Sequence, residues 1–146
     1  MSITRRNLMG MAPALALPAM FAALANADEA KVLPSAMFPF DKLPVNKGEG
    51  ADYRSVMKGK LVTGESIEVH ETTLGVGNMP HPPHRHEHSE IWLIREGLVE
   101  LLVEGKTTQM GPGSVGFVKS NDEHGIKNVG KVPAIYFVVA VGPHLA

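Results

Sequence analysis

The sequence contains no cysteine. That absence removes disulfides, thiolate nucleophiles, Cys-ligated zinc and iron–sulfur clusters together. It also lacks a charge surplus, since 14 Lys+Arg face 15 Asp+Glu for a formal net charge of −1. Nucleic-acid binders gain much of their affinity by neutralising phosphates, so no nucleic-acid partner is expected. Length excludes a second ordinary domain, because 146 residues are what one domain needs. With 44% hydrophobic and 20% charged residues the chain is neither disordered nor fibrous. The 15 Gly and 11 Pro argue against a helical bundle and for many turns.

The first segment reads as an address rather than as structure. Arg5-Arg6 stands ahead of an uncharged run from Leu8 to Leu24, and Ala25-Asn26-Ala27 offers a small-residue cleavage site. Residues 1–27 are therefore expected to be a signal peptide cleaved after Ala27, and the paired arginines resemble the twin-arginine export signal. A retained membrane anchor is the alternative. The run is short of the roughly 20 apolar residues a bilayer span needs, and Pro13 and Pro18 interrupt it. No Cys follows it, so a lipoprotein anchor is out. The expected location is the periplasm or the exterior, with no stable membrane association after cleavage. The resemblance to the twin-arginine signal implies export of an already folded protein, which would let the chain load a metal before export.

Residues 28–60 are rich in Pro, Gly and Lys and carry Met37, Phe38, Phe40 and Leu43. They read as an N-terminal arm that packs on something, with a disordered linker as the alternative. From residue 61 to 146 the pattern is strand and turn. Ile67–Leu74, Ile91–Ile94, Leu98–Val103, Val115–Val118 and Ala134–Val141 are apolar or β-branched runs separated by Gly, Asn and Asp. None keeps a helical period. Short strands at close spacing predict a single all-β sandwich or barrel. The continuous run Ala134–Val141 fits a strand buried on both faces. Apolar faces on both sides suggest a second buried surface such as a dimer interface; two sheets covering each other is the alternative.

The chemistry concentrates in His81-Pro82-Pro83-His84-Arg85-His86-Glu87-His88-Ser89-Glu90, with His124 downstream. Imidazole suits first-row transition metals, and a carboxylate adds a hard, charged ligand. On a strand His84 and His86 face one side and can share an ion. A solvated loop or an unstructured metal scavenger would have the same composition. The zincin pattern H-E-x-x-H is absent.

The wider spacing resembles the cupin family. His84-x-His86, three residues, Glu90, six residues and Gly97 match its first motif, although Asn78 stands where the leading Gly is expected and Gly77 is one residue off. In the second motif Gly113, His124 and Asn128 keep their separations, while Lys119 and Asn121 replace the Pro and Gly. Those departures touch the turn and not the ligand, and Asn-Asp is itself turn-forming. The resemblance covers roughly residues 61–146. It implies a cupin-type double-stranded β-helix, the jelly-roll barrel, with His84, His86, Glu90 and His124 converging on one divalent transition metal. Fe, Mn, Ni, Co, Zn and Cu all accept that ligand set.

Around these four, His88 reads as exposed or outside the ligand set, because a bend after His86 breaks strict alternation. His81 is expected at the barrel mouth. His70 and Glu71 read as ordinary strand residues, either of which could face the cavity. Trp92 shares parity with Glu90 and reads as core or cavity wall. Arg54, Arg85 and Arg95 read as solvated charges that could instead attract an anion. No catalytic acid, base or nucleophile is assigned. Three functions stay open: a metal-dependent enzyme with oxygenase-like or related chemistry, a non-catalytic binder of a sugar-like small ligand, and a metal buffer. The ligand set resembles that of cupin oxidases and dioxygenases, and the family expectation is a homodimer acting on a small molecule. Fold alone does not choose among these.

Overall fold

The computed structural model describes residues 32–143 and 145. The expected signal segment 1–27 lies outside the described residues, as do the first residues of the expected arm. Nine strands follow a short 3-10 turn at Phe40–Lys42: β1 Val45–Lys47, β2 Ala51–Lys60, β3 Ser66–Leu74, β4 Ser89–Glu96, β5 Val99–Val103, β6 Lys106–Met110, β7 Val115–Val118, β8 His124–Asn128 and β9 Ala134–Gly142. They form a six-stranded sheet in the order β1-β2-β3-β9-β4-β7 and a three-stranded sheet in the order β6-β5-β8. Every strand pairing is antiparallel. The all-β architecture expected from the strand pattern is found, in the jelly-roll form that the family resemblance implies.

Alternation builds the interior. In β9 Ala134, Tyr136, Val138 and Ala140 are buried, while Ile135, Phe137 and Val139 on the opposite face are half-buried. The run expected to be buried on both faces is therefore covered fully on one. Leu74, Trp92, Ile94, Tyr136 and Val138 from the large sheet meet Val99, Leu101, Met110 and Ile126 from the small one in a single core. Gly97 turns β4 into β5 with φ 80°, and a Cβ there would lie 2.7 Å from Ala134 Cα. Both the left-handed backbone and the close approach require glycine.

Residues 45–60, which composition places in the arm, are two strands of the large sheet. β2 runs beside β3 along its whole length, pairing Ala51 with Leu74 and Lys60 with Ser66, with a bulge between Ser55 and Met57. The stretch before them lies against the same sheet, where Phe40 sits beneath the guanidinium of Arg54 at 4.8 Å and of Arg95 at 5.0 Å. The sequence hides β2 because Gly59, Lys58 and Arg54 dilute its apolar character. Pairing with β3, and not its own propensity, makes it a strand.

Candidate metal centre

His84 and His86 lie on the segment that enters β4, Glu90 lies in β4, and His124 begins β8. His84 and His124 form an isolated antiparallel bridge. Pro83 packs on Gly125, where an added Cβ would meet its ring at 3.3 Å. The bridge therefore sits against a small residue that lets the two chains approach. The rings of His84 and His124 stand 4.7 Å apart, those of His86 and His124 4.6 Å, and those of His84 and His86 5.1 Å.

Glu90 is the acidic member. Its Oε1 lies 3.2 Å from His86 Nε2, and its Oε2 lies 3.5 Å from His124 Nε2. The indole N–H of Trp92, two residues along the same face of β4, donates to Glu90 Oε2 at 2.7 Å. Burial alone would raise the Glu90 carboxyl. The close imidazole of His124, then that of His86, and the Trp92 N–H outweigh it and hold the carboxyl at about 2. Burial pulls the His124 imidazole down, but Glu90 and the Asp122 carbonyl overcome it and raise its pKa. Burial and the neighbouring imidazoles of His81, His124 and His86 lower His84.

The backbone selects the ring tautomers. His86 Nδ1 lies 2.9 Å from the His88 carbonyl, and His124 Nδ1 lies 2.9 Å from the Asp122 carbonyl. A carbonyl only accepts, so each Nδ1 carries a hydrogen, and in the neutral ring Nε2 presents its lone pair to the centre. Nε2 of His86, Nε2 of His124 and Nδ1 of His84 are buried with no hydrogen-bond partner. The contacts of His86 and His124 to Glu90 are proximity without hydrogen-bond alignment. Such orphaned acceptors are rare in a folded interior. Three in one place, beside a carboxylate, fit the donor set of a transition metal. Ligand atoms of His84, His86 and His124 lie within 4.8 Å of one another, as do those of His86, His88 and Glu90.

The four residues singled out by spacing are thus brought together. His88 joins them more closely than expected: its ring stacks on His86 at 3.5 Å and its Nε2 lies 3.5 Å from Glu90 Oε1. Its imidazole is lowered by burial first and by His86 second. His81 is exposed, with its ring edge-on to His84 at 4.3 Å. Asn121 takes the left-handed conformation, φ 65°, that the missing Gly would supply. Its N–H donates to the His86 carbonyl at 2.8 Å. Asn78, at the other missing Gly, donates from Nδ2 to the Gly50 carbonyl and accepts from the Asn128 N–H.

A cavity of about 240 Å³ opens beside Glu90, walled by Trp92, Tyr136, His70, Tyr53 and Glu68 among others. His70 faces it and Glu71 does not. Glu71 points to the outer face of the sheet, fully buried, where Arg54 Nη1 lies 3.1 Å from its Oε2. The three arginines that could draw an anion are engaged elsewhere: Arg54 with Glu71, Arg85 with Glu104 and the Asn121 carbonyl, and Arg95 with Glu96. Sequence reasoning missed Tyr53, Glu68 and Tyr136. Period-2 alternation from His70 would have found Glu68; Tyr53 was out of reach because its strand was read as arm.

Comparison with known proteins bears on the fold and the family. The family model described as "Cupin domain" matches residues 70–140. L-ectoine synthase of Bordetella parapertussis is 36% identical over 62 residues, which is 42% of this chain and 47% of that protein. The enzyme of the same name from Bordetella petrii is 32% identical over 62 residues. The matched segment spans about half the length of these curated relatives. Among solved structures, an RmlC-like cupin from Shewanella frigidimarina superposes with TM-score 0.63 at 18% identity, covering 76% of this chain and 95% of that one. The polyketide cyclase RemF from Streptomyces resistomycificus superposes with TM-score 0.60 at 16% identity, covering 77% and 88%. At these identities the structural likeness is one of fold.

Proposed function

This chain belongs to the cupin superfamily, and from that premise we propose that it is an exported, metal-dependent enzyme acting on a small molecule. His84, His86, Glu90 and His124 hold the ion in this reading. The observation that carries it is the pair of Nε2 lone pairs on His86 and His124, each fixed by a carbonyl behind the ring and left without a partner beside Glu90. A divalent transition ion held there supplies Lewis acidity, or oxygen-linked chemistry if it is redox-active. The chain's own residues do the rest. Trp92 orients Glu90, the carbonyls of His88 and Asp122 orient two imidazoles, and the cavity beside Glu90 admits the small molecule. Relatives named for ectoine synthesis support catalysis over simple binding. Export rests on Arg5-Arg6, the uncharged run and the Ala25-Asn26-Ala27 site, and puts the mature protein in the periplasm or outside the cell. A homodimer through the outer face of the large sheet is supported by the exposed side chains of Ile91, Leu93, Val115 and Phe117. Sedimentation should then show Phe117→Glu as a monomer beside a dimeric wild type.

Elemental analysis of the mature protein, exported through its own signal and purified without chelator or His tag, tests the metal. One equivalent of a transition metal is expected. A folded protein that carries none and takes up none when offered would end this reading and leave a metal-free ligand-binding barrel.

A further inference from the structure

Across the cavity from Trp92 and Glu90 lies a second polar group that the metal centre does not use. Tyr53 Oη donates to Glu68 Oε1 at 2.7 Å. His70 Nδ1 stands 3.4 Å from the same oxygen, buried and without a hydrogen bond. The rings of Tyr53 and His70 lie 4.5 Å apart. Register makes this arrangement: β2 and β3 pair Tyr53 with Thr72 and Ser55 with His70, so Tyr53, His70 and Glu68 project from one face of adjoining strands. Burial raises the Tyr53 phenol, helped by Glu68, and the phenol stays protonated. Burial lowers His70 against the pull of Glu68 and Glu90, so it brings no fixed positive charge.

The charge of the wall is one-sided. Two carboxylates, Glu68 and Glu90, line the cavity, and among the described residues no lysine or arginine does. The cation nearest Glu68 is Lys58, half exposed, whose Nζ is 3.9 Å from Oε2. Glu90 is turned to the imidazoles and to Trp92, whereas Glu68 keeps lone pairs for a further donor, since a carboxylate offers about four acceptor sites. Beside Thr72, Pro80, His81 and Val138, two further walls are aromatic: Trp92 and Tyr136 stack at 5.5 Å, and ring faces favour cations over anions. At about 240 Å³ the space falls below the roughly 300–1,000 Å³ of drug-sized ligand pockets, which sets the size of the ligand.

We propose that Glu68, Tyr53 and His70 form the recognition site for a small ligand bearing an ammonium group, which Glu68 binds while the rest of the molecule reaches toward Glu90. This rests on reading the cavity as the ligand site, but binding at Glu68 requires no ion. Trp92 is the only tryptophan of the chain and a wall of the cavity, so its fluorescence reports occupancy directly. The probes are ethanolamine and glycolate, two-carbon alcohols of opposite charge, titrated into wild type and Glu68→Gln with metal content measured on the same samples. Gln keeps the shape of Glu68 and an acceptor for Tyr53. Wild type should give a saturable response to ethanolamine, weakened about tenfold or more in Glu68→Gln by loss of a charge-assisted hydrogen bond. Glycolate should bind Glu68→Gln at least as well as wild type. No saturable response to ethanolamine, or an equal response in both proteins, overturns the proposal. Failure of the metal reading would appear separately, as absent metal in samples that still bind ethanolamine.

Discussion

His84 and His124 exchange two backbone hydrogen bonds, each 3.0 Å long, across the gap between the approach to β4 and the start of β8. In an antiparallel pair of this kind opposed side chains leave from the same face. The two rings are therefore aligned by main chain and not by their own contacts. An alanine at either position keeps the bridge and removes only the ligand.

The bridge makes alanine variants a clean test of the centre. His84→Ala and His124→Ala should each lower metal affinity beyond the roughly 10–100-fold expected for a residue that only supports a ligand. His88→Ala should stay within about tenfold, since in this reading its ring stacks on His86 without completing the set. Calorimetric titration of chelated protein with zinc measures all three. Equal losses would indicate a loose histidine tract.

Trp92 donates to Glu90 Oε2 at 2.7 Å, the one hydrogen bond that carboxylate accepts among the described residues. Trp92→Phe keeps a ring in the core but frees the carboxylate to rotate. Metal affinity should fall about 10–100-fold. Circular dichroism and a cooperative thermal transition should remain. An unchanged affinity would mean that Glu90 is positioned by the imidazoles alone.

Asn121 holds φ 65° and ties the turn before β8 to the His86 carbonyl. A β-branched residue pays a steric cost in that conformation of about 1–2 kcal/mol. Asn121→Val should lose about that much stability in urea, and Asn121→Gly should stay within about 0.5 kcal/mol of wild type. Similar losses from both would mean that the Asn121 side chain, which donates to Ser120 Oγ at 2.9 Å, matters more than the backbone.

Acid should weaken the chelated protein through Glu90. Its carboxyl titrates at about 2 when folded against an ordinary 4.5. The contribution is therefore complete above 4.5 and lost as pH falls from there toward 2. His124 is raised above its ordinary 6.5, so its share is complete below 6.5 and lost as pH rises through the raised value. Urea midpoints of chelated protein should be highest between these limits. Glu90→Gln should flatten the acid side. Added metal should reverse the alkaline trend, because binding displaces the proton from His124.

Local spacing determined much of this protein. Alternation along a strand places Glu68, His70 and Thr72 on one face and Glu90, Trp92 and Ile94 on another, whatever the partners. The His84-x-His86 and Glu90 spacing, with His124 ahead of Asn128, carried the family and the ligand candidates. Alternation is a short-range property of a chain with period 2, whereas His124 joined the candidates through the family resemblance. Tertiary structure decided what depends on pairing between distant segments. β2 is a strand because β3 lies beside it, and only that register brings Tyr53 to Glu68. Glu71 is buried on the outer face because Arg54 from β2 reaches it. His88 turns toward Glu90 because the chain bends between His86 and β4. Each outcome is set by long-range hydrogen bonds and packing, which local spacing does not encode.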